Sequence, residues 1–146
     1  MSNKIKLGIY FGVPNQLAWV LFYSFLGQTN EFNLAILMFF SLTLVLGMFL
    51  STKNVLWKEL GGVYERRPLF QAGMATGILI SMSYSIGYMI LLKSYPELTE
   101  NEDGLPILMQ GALKLVYGMF FTFIYALVFP FMHKMNPAVK EKPKNN

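Results

Sequence analysis

Long stretches without a charged side chain constrain this sequence more than any other feature. They cover residues 7–30, 32–52, 68–92 and 115–133, and a further uncharged run over residues 104–113 is separated from the last by Lys114 alone. A helix needs about 20 mostly apolar residues to cross the hydrocarbon core of a bilayer, which is about 30 Å thick. The sequence therefore predicts an all-α, integral membrane four-helix bundle. Its spans are expected at about residues 7–27, 32–52, 69–92 and 112–132.

Composition supports the membrane prediction and excludes several other classes. The chain is 54% hydrophobic and 14% charged, whereas soluble domains are about 45–50% apolar and about 25% charged. It contains no cysteine, so disulfides, thiolate metal sites and thiol catalysis are excluded. The net charge of +4 comes from short segments between the apolar runs. That distribution indicates membrane topology and not a nucleic-acid-binding face.

The basic residues predict which side of the membrane each segment occupies. Ten of the twelve lie in the amino-terminal segment, the loop after the second span and the carboxyl tail: Lys4, Lys6, Lys53, Lys58, Arg66, Arg67, Lys134, Lys140, Lys142 and Lys144. Four spans place these segments on one side, and short cytoplasmic loops are enriched in Lys and Arg. We therefore predict that both termini are cytoplasmic (N-in/C-in). A membrane domain over residues 1–135 would be followed by a disordered basic cytoplasmic tail over residues 136–146.

Small residues recur at helical spacing in the predicted spans. The third span carries the longest such stripe, and the first and fourth spans carry shorter ones. The residues are Gly8, Gly12, Gly73, Gly77, Ser81, Ser85 and Gly118. Small side chains let helix backbones approach closely in lipid, where the hydrophobic effect does not drive helices together. The stripes either pack the four helices of one chain against each other or bind a separate protein, and the sequence leaves both open.

A few polar side chains interrupt the apolar spans and define a possible polar path. They are Asn15, Gln16, Thr76, Lys114 and Thr122. Asn15 and Gln16 follow Pro14, so they could instead satisfy the backbone carbonyl that a proline leaves unpaired. Lys114 lies about 20 residues before the cytoplasmic end of the fourth span, where its stem could extend to water at the outer interface.

No pattern in the sequence predicts catalysis or a metal site. His133 is the single histidine and lies at the edge of the fourth span, without a carboxylate placed beside it by sequence. The acidic segment between the third and fourth spans lacks the alternating ligand spacing of an EF-hand. We predict no catalytic residues, no metal or cofactor, and no enzymatic activity.

Several short motifs between Lys53 and Leu98 resemble those of a known family. They are Lys53-Asn54, Lys58-Glu59-Leu60-Gly61-Gly62, Phe70-Gln71-Ala72 with Gly73 and Gly77, and Pro96-Glu97-Leu98. Together they are similar to a family of small bacterial four-span proteins whose domain has no assigned function (the DUF4199 type). The resemblance covers about a third of the chain well. It implies a multi-pass protein of the bacterial inner (cytoplasmic) membrane and no known activity.

The fourth predicted span has a second resemblance. Ala112, Tyr117-Gly118 and Phe129-Pro130 are similar to the last helix of the MotA/TolQ/ExbB proton-channel family, whose members surround a partner's helix. This sequence lacks that family's large cytoplasmic insertion and has no intramembrane carboxylate.

Two functions fit these features. The first is a non-catalytic subunit, or an assembly or stabilising factor, of a larger membrane complex. Its partners would be the lipid bilayer and either other integral membrane proteins or further copies of the chain, but not nucleic acid. The alternative is an ion- or solute-translocating component that uses the possible polar path.

Overall fold

Four long helices account for most of the fold in the computed structural model, which describes residues 2–100 and 105–141. In chain order, α1 spans Asn3–Leu26, α2 Asn30–Asn54, α3 Arg66–Ser94, the short α4 Glu97–Glu100, and α5 Ile107–Lys134. A turn of π-helix over Val55–Glu59 extends α2, and two short strands, β1 at Val63–Tyr64 and β2 at Lys140–Glu141, pair in parallel.

Local sequence explains where the helices begin and end. The Thr29 hydroxyl accepts a hydrogen bond from the Phe32 amide at 3.2 Å and so caps α2. The π-turn is closed by the Leu60 amide, which donates to the Val55 carbonyl. The chain then turns at Gly61 and Gly62, whose φ angles of 58° and 81° favour glycine because it has no side chain.

The prediction of a helical membrane protein is confirmed in its coarse form. Three helices are long and apolar enough to cross a membrane: Asn30–Glu59, Arg66–Ser94 and Ile107–Lys134. The remaining long helix, α1, has 24 residues and would measure about 36 Å at 1.5 Å per residue. Pro14, Asn15 and Gln16 interrupt its apolar sequence, and its assignment as a span belongs to the function proposed below.

The third helix is the centre of the molecule. It packs against α1, α2 and α5, and a larger share of it is buried than of α2 or α5. Buried apolar side chains of the core come from the middle of α2 and from the helices that face it, among them Phe40, Leu44, Met48, Ile80, Ala126 and Phe129.

One end of the molecule, here named the basic end, brings together residues 3–6, 53–67 and 133–141. Lys4 of α1 forms an ion pair with Glu59 at 3.6 Å, and the Lys140 amide donates to the Gly62 carbonyl at 2.9 Å. A separate apolar cluster closes this end, made of Val55, Leu56, Leu69 and Ala72 with Leu60, Tyr64 and Val139 packed against it. The opposite end, named the Lys114 end, contains residues 23–33, 88–98 and 107–114.

The carboxyl segment contacts the basic end over part of the tail expected at residues 136–146. Val139 packs on the apolar cluster of the basic end, and β2 pairs with β1. Lys134 and Glu141 form an ion pair at 3.4 Å across the same turn. Residues 142–146 of the expected tail lie outside the described residues.

Candidate functional site

The small residues of α3 line up along α5. A Cβ placed on Gly77 would lie 2.5 Å from Cγ2 of Thr122, and the Ser85 hydroxyl donates to the Gly111 carbonyl at 2.6 Å. Gly73 faces Ala126 with ordinary spacing. The α3 stripe therefore makes its contacts within the chain, against α5.

The other small residues extend the contact between α3 and α5 and form a second one between α1 and α3. A Cβ on Gly118 would lie 2.8 Å from the Ser81 side chain, which adds to the contact between α5 and α3. Gly8 and Gly12 of α1 lie against Leu79 and Ser83, on the other side of α3. Hence α3 approaches α5 along one face and α1 along another, and both approaches depend on glycines.

The residues of the possible polar path are distributed over different helix pairs. The Asn15 amide donates to the Phe11 carbonyl and to the Thr43 hydroxyl, both at 2.9 Å, and so joins α1 to α2. Thr76 and Ser51 hydroxyls lie 2.7 Å apart and join α3 to α2. The hydroxyls of Thr122 and Ser81 are 3.0 Å apart and join α5 to α3.

The two remaining residues of that set lie elsewhere. Gln16 is half-buried on α1, and its backbone passes close to Gly87. Lys114 lies near the start of α5, at the end of the molecule named after it, and away from the hydroxyl pairs. Within residues 2–98 and 105–141, no buried side-chain nitrogen or oxygen lacks a hydrogen-bond partner. The buried polar groups thus satisfy one another between helices, as lipid-embedded proteins require.

Lys114 turns inward, which differs from the expectation that its stem would extend to the outer interface. Its ammonium lies 4.7 Å from the centre of the Tyr88 ring and 5.9 Å from that of Trp19. Both rings are buried, so the half-buried cation contacts α3 and α1. Cation–π attraction explains the direction, because the ring faces offer negative charge where little water competes.

A cavity of about 110 Å³ lies beside Lys114. The residues that line it include Trp19, Tyr88, Gln28 and Asn33 together with Lys114. A cavity of this size has room for a few water molecules.

The single histidine lies at the basic end, buried between α5 and α2. His133 Nε2 is 2.8 Å from the Thr52 hydroxyl, and the imidazole stacks on Phe49. The Thr52 hydroxyl also lies 2.9 Å from the Phe49 carbonyl, to which it can donate, and the tautomer of His133 sets which of the two side chains donates to the other. His133 therefore serves as a hydrogen-bonding contact between two helices.

Three contributors to these contacts were not among the residues singled out by sequence. The Trp19 indole donates to the Tyr84 carbonyl at 2.9 Å, and the Gln110 amide donates to the Leu105 carbonyl at 2.9 Å. Gly87 allows α1 to approach, because a Cβ there would lie 2.7 Å from the Gln16 Cα. Gln110 had a signal in the sequence, an amide near the start of an apolar helix, whereas nothing distinguished Trp19 from an interfacial aromatic residue.

No family model, curated protein or solved structure matches this chain. The resemblances to the DUF4199 type and to the MotA/TolQ/ExbB family therefore stay predictions.

Proposed function

We propose that this chain is a four-span bundle of the bacterial inner membrane, with both termini in the cytoplasm, that acts without catalysis. It would be a subunit, or an assembly or stabilising factor, of a larger membrane complex. Its partners would be other integral membrane proteins or further copies of the chain.

The observation that supports this function is the pairing of buried polar side chains between helices. Asn15, Thr76 and Thr122 each bind a hydroxyl of a neighbouring helix, at 2.9, 2.7 and 3.0 Å. Such pairs fix the helices relative to one another and use the polar groups that a translocation path would expose to its cargo. A fixed bundle is suited to present surfaces to partners.

The outward face of α5 is the surface on which we expect a partner. Of the three helices that qualify as spans, α5 is the least buried. Its outward side chains include Val116, Phe120 and Phe123, each at least half exposed. Aromatic residues supply large contact areas to protein interfaces, although lipid covers such a face equally well in an isolated protein.

Site-specific photo-crosslinking in intact membranes tests this function. A benzophenone side chain at Phe120 should give one discrete protein adduct, which is another membrane protein or a second copy of the chain. The same probe at Phe25 of α1, which is 83% exposed, is the matched control and should give lipid adducts alone. Lipid adducts alone at both positions would contradict the proposal.

Liposomes containing the purified chain test the alternative. We expect no proton or ion flux above that of empty liposomes. A flux that Thr122→Val abolishes would establish a translocating component and overturn the proposed function.

Topology reporters test the orientation. Fusions after Lys58 and at Asn146 should give cytoplasmic signals, and an insertion near Asn101 should give an external one. With Lys58 cytoplasmic, an external signal at Asn146 would contradict the four-span arrangement, because an odd number of spans would then separate Lys58 from Asn146.

A further inference from the structure

A groove opens between α3 and α5 at the basic end, with a volume of about 340 Å³. Its wall contains Arg66, Arg67 and Phe70 from the first turns of α3 and Leu127 from α5. We name it the arginine groove. Since α3 and α5 are both long and apolar enough to cross a membrane, a groove at their shared end lies where the hydrocarbon core meets the headgroups.

The two guanidinium groups of this groove have no carboxylate partner in the described part of the chain. The ion pairs found within residues 2–100 and 105–141 are Lys4–Glu59 and Lys134–Glu141. Arg66 instead lies over the Phe131 ring at 5.2 Å, which holds its planar head against an apolar surface. Both arginines are exposed, so their donors are available to a ligand.

Guanidinium groups and phosphate oxygens are matched in shape and charge. A guanidinium presents paired N–H donors that bind two phosphate oxygens at once, and a phosphate at this position would neutralise charge that no carboxylate of residues 2–100 and 105–141 pairs with. An inorganic phosphate would satisfy the arginines but leave the apolar wall at Phe70 and Leu127 uncovered. Phe70 also packs edge-to-face on Phe123 at 6.2 Å, which extends this apolar wall along the helices.

We propose that the arginine groove binds an anionic phospholipid. Its phosphodiester would lie between Arg66 and Arg67, and one acyl chain would lie against Phe70 and Leu127. A basic site between membrane helices, with apolar surface leading from it into the bilayer, has the chemistry that anionic headgroups recognise. A zwitterionic lipid carries its own ammonium and would gain less from two arginines. The proposal requires that α3 and α5 lie in a membrane and is independent of the function proposed above.

Lipid binding to the purified full-length chain in a neutral detergent tests the proposal. Native mass spectrometry would compare phosphatidylglycerol with phosphatidylcholine of identical acyl chains. We expect the wild type to bind phosphatidylglycerol in a saturable one-to-one complex, at least about tenfold more tightly than phosphatidylcholine. Equal affinity for the two lipids would overturn the proposal.

Charge-matched variants locate the site. Arg66→Gln with Arg67→Gln should reduce affinity for phosphatidylglycerol by about tenfold or more. Lys53→Gln with Lys58→Gln removes the same charge from exposed positions of the same end and should change it by less than about twofold, as expected for screened surface charges. An equal loss in both double variants would mean nonspecific attraction and would contradict a site at the groove.

Two further measurements separate a lipid site from a phosphate site and from misfolding. Leu127→Trp fills the groove without changing charge and should also weaken phosphatidylglycerol binding, while inorganic phosphate at equal concentration should not compete. Unchanged lipid binding in this variant, or full competition by phosphate, would overturn the acyl-chain contact. Each variant is first melted without lipid, and a lost lipid complex counts as support when its melting temperature matches that of the wild type.

Discussion

The two ends of this molecule are built differently. The basic end is closed by an apolar cluster, a π-turn, a pair of short strands and the buried contact between Thr52 and His133. The Lys114 end contains a polar cavity and a half-buried cation that lies over aromatic rings. The basic end is thus held by several contacts that reinforce one another, whereas at the Lys114 end the helices are closely packed on one side and leave space on the other.

The two ends therefore differ in how completely their helices are joined. Apolar contacts and strand pairing join α2, α3 and the carboxyl segment into one unit at the basic end. At the Lys114 end a small cavity remains between the helices. The predictions below test that difference through substitutions at each end.

Gly87→Ala should have the largest effect, because α1 and α3 are in backbone contact there. The new Cβ would lie 2.7 Å from the Gln16 Cα and 2.8 Å from the Asn15 carbonyl oxygen, so the helices must separate. We expect a loss of about 1–3 kcal/mol in the free energy of unfolding, measured by melting in detergent.

Gly73→Ala, towards the basic end, is the matched control. Its new Cβ would have no neighbour nearer than 3.5 Å, so a change of less than about 0.5 kcal/mol is expected. Similar melting curves for the two alanine variants would contradict the close approach at Gly87.

Thr52→Val should destabilise the basic end by about 1–2 kcal/mol. The substitution keeps the shape of the side chain but removes the hydrogen-bond partner of His133 Nε2, and an unpaired buried polar group is costly. Ser24→Ala provides the comparison at the Lys114 end, because its hydroxyl bonds to Val20 and Tyr95 in an exposed position. If both variants melt like the wild type, the Thr52–His133 contact does not stabilise this end.

Lys114→Met should lower stability by about 0.5–1 kcal/mol, and Lys114→Arg should lower it less, since arginine keeps a cation over the rings. Fluorescence of Trp19, recorded in a Trp57→Phe background, should change with Met and be largely preserved with Arg. A lysine extended into water would make both substitutions silent. Spectra of both variants that match the wild type would therefore support the prediction that the Lys114 stem extends to water at the outer interface.

Val139→Asn should have the smallest effect, about 0.5 kcal/mol or less, because Val139 is only partly buried on the apolar cluster. The informative measurement is hydrogen exchange of the Lys140 amide, which donates to the Gly62 carbonyl and should exchange faster in the variant. Ala138→Asn, at an exposed position, should leave that exchange rate unchanged. Fast exchange of Lys140 in the wild type would mean that the carboxyl segment is not held.

Much of the fold could be predicted because the hydropathy of a segment depends only on the residues within that segment. The long uncharged stretches of α2, α3 and α5 identify helices that are able to cross a membrane, whatever they pack against. The spacing of Gly73, Gly77, Ser81 and Ser85 likewise places these residues on one face of α3 from sequence alone.

Which helix packs against each face could not be predicted from the sequence in the same way. Spacing at Gly77 predicts a close approach, but the structure shows that the helix approaching it is α5. Val139 has no periodic neighbours in the sequence, and its burial depends on a cluster more than 65 positions earlier in the chain. A pattern along the chain describes one surface, whereas a contact requires two.

The sequence by itself determined that the chain is helical, that it contains long uncharged stretches able to cross a membrane, and that its basic residues gather in three segments. These properties depend on local composition and on the geometry of a single helix. The tertiary structure decided that Lys114 turns inward, that Asn15, Thr76 and Thr122 serve different helix pairs, and that the carboxyl segment docks on the basic end. Each of these outcomes depends on which side chains a distant part of the chain presents, because a polar or charged group in an apolar setting turns towards whichever partner can satisfy it.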